Sequence, residues 1–292
     1  MSWPFDRGTP DVGMGAGAAL LAADEELHWM LEDVGWTPTL QRTTSSDPEA
    51  GEVARIFDLL RVLAADVRAA RERGAFPLIL AGGCISAAGT VAGAMAGEGA
   101  GAGARVGAVW LDAHADLDTP EDNLSGSMDV MALSLLTGTA WRAARTTIPG
   151  AVAIPEEHVA LLGVRDLAPY QRARLERSSV RAAPGAFDAA AARAALDGLP
   201  ARRYLHVDLD VLDTSVGAAN RHAAPGGPTL DAVLAAIDAT FAGGHVIAAA
   251  LTAYEPPADR AGTILAAART IAERIAVHAL VQRRSTAPPR VP

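Results

Sequence analysis

The chain has 292 residues, half of them hydrophobic and 20% charged, with a net charge of −9; this supports one large core and excludes global disorder. All 25 basic residues are arginine, which excludes chemistry built on a Schiff-base or phosphate-loop lysine, and the acidic balance argues against nucleic acid as a partner. The single cysteine, Cys84, leaves no internal disulfide framework, and neither a leader-type start nor an uncharged apolar run long enough to span a membrane is evident, so a cytoplasmic protein with no membrane partner is expected.

In chain order, Gly51–Gly74 has helical periodicity and Pro77–Ala81 reads as a strand. Ser86–Met95 is helical, and Gly97–Gly103 (GEGAGAG) has the composition of a flexible surface loop. Val106–Leu111 is a strand, Met128–Thr137 a helix, Val159–Val164 a strand, and Ala168–Glu176 and Phe187–Leu199 are helices. Tyr204–Leu209 and Val246–Leu251 are strands, separated by the helix Leu230–Ala242 and followed by the helix Arg260–Val281. The strands are near-continuous apolar runs, as expected where both faces of a sheet are covered. Strand–helix alternation predicts a three-layer α/β/α sandwich with a central, mostly parallel sheet. No linker divides the chain, so residues 1–282 are expected to form a single domain and 283–292, polar and Pro-rich, a frayed tail.

In α/β sheets ligands bind beyond the carboxyl ends of the strands, so the residues that follow each strand are the informative ones. Asp112-Ala-His114-Ala-Asp116 follows Val106–Leu111; Asp208, Asp210 and Asp213 follow the Tyr204 strand; Glu255 follows Val246–Leu251; and Gly-Gly-Cys84-Ile85-Ser86 follows Pro77–Ala81. Alternate residues of an extended segment share a face, so Asp112, His114 and Asp116 can converge, as can Asp208 and Asp210. A lone Asp at a strand end is usually a turn or helix cap. Two such clusters are harder to explain as caps, because crowded carboxylates repel unless a cation lies among them. Hard oxygens with one imidazole suit Mn²⁺, with Zn²⁺, Fe²⁺ or Ni²⁺ also possible.

These segments resemble the arginase–agmatinase (ureohydrolase) family. VWLDAHADLDTPEDNLSG is similar to its Asp-x-His-x-Asp signature, and YLHVDLDVLDTS with Pro225-Gly226-Gly227 to its Asp-x-Asp-x-x-Asp signature. PFDRGTPDVGMGAG, AGGCISAAGT and LTAYEPPAD resemble its amino-terminal, Gly-Gly-Asp-His-Ser and carboxy-terminal glutamate blocks, so the likeness runs in order over nearly the whole chain. The resemblance implies two Mn²⁺ ions bridged by a hydroxide that attacks a guanidino or formimino carbon. By position, His114 and Asp210 would hold one ion, Asp116 the other, and Asp112 and Asp208 would bridge. Asp116 would pass a proton to the leaving amine, and Glu255 would pair with the cationic group of a small guanidino or formimino substrate. A homo-oligomer, trimer or hexamer, is expected by the same likeness.

Departures from the family pattern are equally specific. Ile85 stands where the family has a ligand histidine, which leaves one or two ions open; the neighbouring Cys84 is read as a small buried hydrophobe pointing elsewhere on a tight turn. Asp129 replaces a shuttle histidine and is read either as a carboxylic acid with a raised pKa that moves protons or as a solvated helix cap. Asp118, Ser125 and Ser127 sit where the family contacts an amino acid's carboxylate and amine, and with Asp118 acidic and Ala168 in place of an aspartate, L-arginine is not the expected substrate. His206 and His222 lie near the motifs, His222 beside the expected guanidinium position; either could rebuild a metal site or be structural. The chain also begins where the family's first strand would be ending, so either that strand is missing, which would call for a partner strand or leave an exposed edge, or the true start lies upstream. Two functions follow: a hydrolase of linear amidine C–N bonds, or a catalytically degenerate relative with a structural, metal-binding or regulatory role.

Overall fold

A computed structural model describes residues 1–44, 49–96 and 105–286; the Gly97–Gly103 segment and residues 287–292 of the tail lie outside these. The strands are β1 (Ser2–Trp3), β2 (Phe5–Asp6), β3 (Thr9–Pro10), β4 (Leu78–Ala81), β5 (Val106–Leu111), β6 (Val159–Leu162), β7 (Arg181–Ala183), β8 (Arg202–Asp208) and β9 (His245–Thr252). The α-helices are α1 (Gly13–Ala23), α2 (Glu25–Asp33), α3 (Glu52–Glu72), α4 (Ala87–Ala96), α5 (Ala132–Thr137), α6 (Arg142–Arg145), α7 (Pro169–Arg177), α8 (Ala189–Leu196), α9 (Leu230–Ala242) and α10 (Thr263–Thr286). All five expected strands form. Helix α10 runs past the boundary expected at residue 282.

Seven strands make one parallel sheet in the order β1-β4-β9-β8-β5-β6-β7, and β2 and β3 form a separate antiparallel pair. Alternation along β5 explains the three layers. Val106, Ala108 and Trp110 face the apolar layer that holds Ile56, Leu60 and Leu63 of α3, Val91 of α4 and Leu133 of α5. Val109 and Leu111 face the opposite layer, with Leu27 of α2, Val233 and Ile237 of α9, and Ile271 and Ile275 of α10. With few aromatic side chains, the layers close through small residues: a Cβ at Gly93 of α4 would stand 2.3 Å from the Ala64 carbonyl oxygen of α3.

The expected missing strand is corrected by β1. Ser2 and Trp3 pair in parallel with Leu80 and Ala81, and the outer side of β1 is covered: Ser2 N–H donates to Gln41 O (2.7 Å) and Thr43 N–H to Ser2 O (2.9 Å). This segment is too short for a periodic signal, as is β7. Helix α1 (GMGAGAALLAA) has no polar face to mark its period.

The topology places one crevice. β5 and β8 are neighbours, but the chain leaves β5 toward β6 on one side and leaves β8 toward β9 on the other. The two connections cover opposite faces, so the carboxyl ends of β5 and β8 flank a topological switch point.

Candidate metal centre

Asp112 follows directly on β5, where Trp110 Nε1–H donates to its Oδ2 (3.0 Å) and His114 N–H to its Oδ1 (2.7 Å). The His114 ring turns back so that Nδ1 is 3.3 Å from Asp112 Oδ1 and 3.4 Å from Asp210 Oδ2. Asp208 ends β8 and accepts from Asp210 N–H (2.8 Å), closing the short turn that swings Asp210 toward β5; there Asp210 accepts from Ala113 N–H (3.3 Å). Asp210 Oδ2 also accepts from Asn220 Nδ2 (3.1 Å), whose other hydrogen bond goes to Ala253 O (2.9 Å). One ligand atom each from Asp112, His114 and Asp210 lie within 4.8 Å of one another, and so do one each from Cys84, Asp112 and Asp208. Sequence reasoning missed Asn220, which carries no motif signal.

Asp116 adopts a left-handed backbone, φ 51°, which is strained for a residue with a Cβ. Its carbonyl accepts from Leu133 and Ser134 N–H (3.0 and 3.1 Å), so the start of α5 holds the bend. Asp116 Oδ2 is buried with no hydrogen-bond partner among the described residues. A buried orphan carboxylate oxygen is costly unless a cation meets it. Asp129 lies on the Gly-Gly turn, its Oδ1 accepting from Ile85 N–H at 3.3 Å. A Cβ at Gly83 would stand 2.3 Å from that oxygen, so glycine is what admits the carboxylate.

The electrostatics follow from burial. Burial and the neighbouring Asp112 carboxylate raise Asp116 well above the carboxylate range. Burial followed by Asp210 does the same to Asp208, and burial raises Asp112. Burial opposes charge on His114, but Asp210 and Asp112 outweigh it and hold the imidazole up at about 12. Burial likewise opposes ionisation of Asp210, yet His114 and the hydrogen bonds bring it down to about 2. Burial raises Asp129 to about 6, and its carboxylate accepts from Ile85 N–H rather than capping the turn it begins. Four buried carboxylates with one imidazole and an unpartnered oxygen fit a divalent-cation centre.

Cys84 departs from expectation. Its thiol points into the cluster, donating to Asp208 Oδ2 at 3.0 Å with Thr252 Oγ1 at 3.3 Å. Burial, then Asp208, Asp116 and Asp112, push the thiol well above its usual range. Ile85 is buried in the apolar layer of α3 and α4 and offers no donor. His206 is not available to rebuild a metal site. It stacks on Trp110 with ring centroids 3.6 Å apart, and its two nitrogens meet Tyr204 OH (2.9 Å) and Thr252 Oγ1 (3.2 Å). Burial lowers its pKa to about 3, so it is a neutral core residue.

The expected substrate contacts divide. Asp118 is buried, with its oxygens taken by Tyr170 OH and Gln171 Nε2, both at 3.0 Å; it pins α7 to the site loop. Ser125 and Ser127 lie on the loop folded around Asn123, where Ser125 Oγ donates to Asn123 Oδ1 (2.7 Å) and Ser127 Oγ accepts from Asp129 N–H (3.3 Å). His222 is exposed and presents its ring edge-on to His114, centroids 6.4 Å apart at 88°. Glu255 faces Arg221, a residue sequence reasoning passed over: Nε to Oε2 is 3.2 Å and Nη2 to Oε1 is 2.7 Å. Asp213 is structural, accepting from Gly226 and Gly227 N–H (2.6 and 2.9 Å).

A parallel α/β/α sandwich with an acidic, imidazole-bearing centre at its switch point defines a narrow class of proteins, and comparison identifies it. The Arginase family model matches residues 2–276, and the chain belongs to the arginase family. The arginase of Bacillus caldovelox is 31% identical over 174 residues, an alignment covering 56% of each chain, so this chain spans only about half of that relative's length by sequence. The arginase structure from Bacillus subtilis superposes with a TM-score of 0.79 at 22% identity, covering 94% of this chain and 96% of that one. The Entamoeba histolytica arginase, solved with L-ornithine, gives 0.78 at 18% identity over 94% and 96%. At these identities the structural likeness speaks for the fold. Among the described residues no helix is long and apolar enough to cross a membrane.

Proposed function

We propose that the protein is a metal-dependent hydrolase of linear amidine C–N bonds, acting on a small cationic guanidino or formimino compound. The observation that carries this reading is the convergence of Asp112, His114 and Asp210 within 4.8 Å beside the orphaned Asp116 oxygen. His114 and Asp210 would hold one divalent ion, Asp116 a second, and Asp112 and Asp208 would bridge, with Mn²⁺ the first candidate. When bound, the ions supply Lewis-acid activation of the attacking water at neutral pH. Glu255 orients the cationic carbon group by charge pairing. Asp129, poised at about 6, exchanges a proton with solvent, and Asp116 delivers one to the departing amine. The test is to load the protein with Mn²⁺, measure ion content by elemental analysis, and assay urea or ammonia release across guanidino and formimino compounds. Turnover of at least one compound is expected; ion-loaded protein inert to the whole panel overturns the reading.

A second reading, a relative that kept the centre but lost the chemistry, has its own observation in the Arg221 side chain covering Glu255. It predicts metal binding without turnover. The same assay separates the two, because hydrolysis by ion-loaded protein excludes the second.

A further inference from the structure

Cys84 opens the short turn Cys84–Ser86 directly after β4, on the carboxyl side of the sheet. The turn is pressed into place from both sides: a Cβ at Gly82 would stand 2.3 Å from Phe5 O, and one at Gly83 the same distance from Asp129 Oδ1. Held in this way, the backbone sends the Ile85 side chain into the apolar layer and the Cys84 side chain to Asp208. Cys84, Asp112 and Asp208 are exposed by only 4%, 1% and 3%, and one donor atom of each lies within 4.8 Å of the others. A second observation points the same way. Asp116, next along the β5 loop, leaves Oδ2 buried without a partner among the described residues.

We propose that Cys84 supplies the ligand that Ile85 cannot, making one of the two ion positions a thiolate–carboxylate site built from Cys84, Asp112 and Asp208. The inference rests on the metal-centre reading above and deepens it. On binding, the S–H bond breaks, its electron pair goes to the sulfur–metal bond, and the proton leaves to solvent, so charge and atoms balance. The hydrogen bond from the thiol to Asp208 already places sulfur beside a bridging carboxylate, and only the proton has to be exchanged for the ion. A thiolate is a soft donor and shifts preference away from Mn²⁺ toward Zn²⁺, Fe²⁺ or Co²⁺. The other position, with His114 and Asp210, keeps the harder set. The two positions are therefore chemically unequal, with Asp112 and Asp208 common to both.

The test uses the full chain, stripped with chelator and titrated with Co²⁺, with cobalt content and absorption read together. A thiolate bound to Co²⁺ gives a near-ultraviolet charge-transfer band that carboxylate and imidazole ligands do not. The band is expected to saturate at one equivalent per chain. In Cys84→Ser it is expected to vanish while at least one cobalt is retained, with circular dichroism confirming the fold. Cobalt bound to the unaltered protein without the band overturns the thiolate ligand and leaves the metal centre standing; this outcome needs no variant. No cobalt bound at all overturns both.

Discussion

Arg221 caps Glu255 with a two-point contact, Nη2 to Oε1 at 2.7 Å and Nε to Oε2 at 3.2 Å, and the Arg221 backbone N–H adds a third bond to Oε2 at 3.2 Å. The carboxylate proposed to receive a cationic substrate therefore already holds a guanidinium of its own chain. Arg221 is 59% exposed, so the pair is solvent-screened and can open cheaply.

Removing Arg221 should free Glu255. In Arg221→Ala, the dissociation constant of a guanidinium-type ligand for the metal-loaded protein is expected to fall about two- to five-fold, the scale of an exposed ion pair. Titration calorimetry reads this directly. Weaker binding would show that Arg221 helps to hold the ligand rather than competing with it.

Asn220 ties the two sides of the centre together, bonding Asp210 Oδ2 and Ala253 O. On the proposed reading it would orient Asp210 toward the ion without itself touching it. Asn220→Ala should weaken binding at the His114–Asp210 position about ten- to a hundred-fold, the usual cost of losing an outer hydrogen bond to a ligand. Competition against a fluorescent chelator measures it, and an affinity unchanged within error would remove Asn220 from the centre.

Much of this centre is readable from residue order alone. Asp112, His114 and Asp210 could be picked out because they directly follow apolar runs that end strands, but it is the pairing of β5 with β8 and the short turn at Asp210, not the alternation expected of extended backbone, that brings them together. Cys84 was not readable, because the direction of a tight turn is set by what presses on it, here Phe5 and Asp129 from distant parts of the chain. Arg221 was missed for the same reason: its partner lies 34 residues away. His206 shares a strand with Asp208, but the facing Trp110 and Thr252 claim its ring. The fold was legible because parallel strands covered on both faces leave continuous apolar runs. β1 and β7 are too short for such runs, and α1 has no polar face to mark its period, so these were not.

Asp129 should leave a signature in stability against pH. Its folded pKa is about 6 against an ordinary 3.8, chiefly from burial. Below the lower value both folded and unfolded chains carry the proton, and above the upper value neither does. Between them only the folded chain keeps it, so stability is lost as pH rises through that window, by on the order of 3 kcal/mol. In Asp129→Asn this loss should disappear, since the amide can still accept from Ile85 N–H. The variant minus wild-type difference in urea midpoint should therefore rise from about pH 4 to about pH 6 and then level off. A flat difference would show that Asp129 ionises at its ordinary pKa.

His206 is expected to matter for the fold and not for the ions. His206→Ala deletes a ring stacked on Trp110, strands Tyr204 OH in the core and leaves Thr252 Oγ1 with Cys84 Sγ alone. The cost should be about 3 kcal/mol, with metal stoichiometry unchanged in the folded fraction. Loss of an ion without loss of stability would reverse that assignment.

Arg165 is the least conspicuous part of the centre, and among the described residues its guanidinium donates to backbone carbonyl oxygens. Nη1 donates to Gly163 O (2.9 Å) and Val211 O (3.1 Å), and Nη2 to Asp210 O (3.0 Å), Leu212 O (3.2 Å) and Ala224 O (2.7 Å). Nε donates to Pro225 O (3.1 Å). One planar fork thus ties the end of β6, the Asp210 turn and the loop before Gly226. An ammonium has no such fork, so Arg165→Lys cannot reach these oxygens together even though the charge is kept. The substitution should cost about 2 kcal/mol and loosen the Asp210 turn, weakening the ion held with His114 more than the ion held by Asp116. Urea unfolding and ion-by-ion titration check the two effects separately. If stability stays within about 0.5 kcal/mol of wild type, the carbonyl cage contributes charge alone and not geometry.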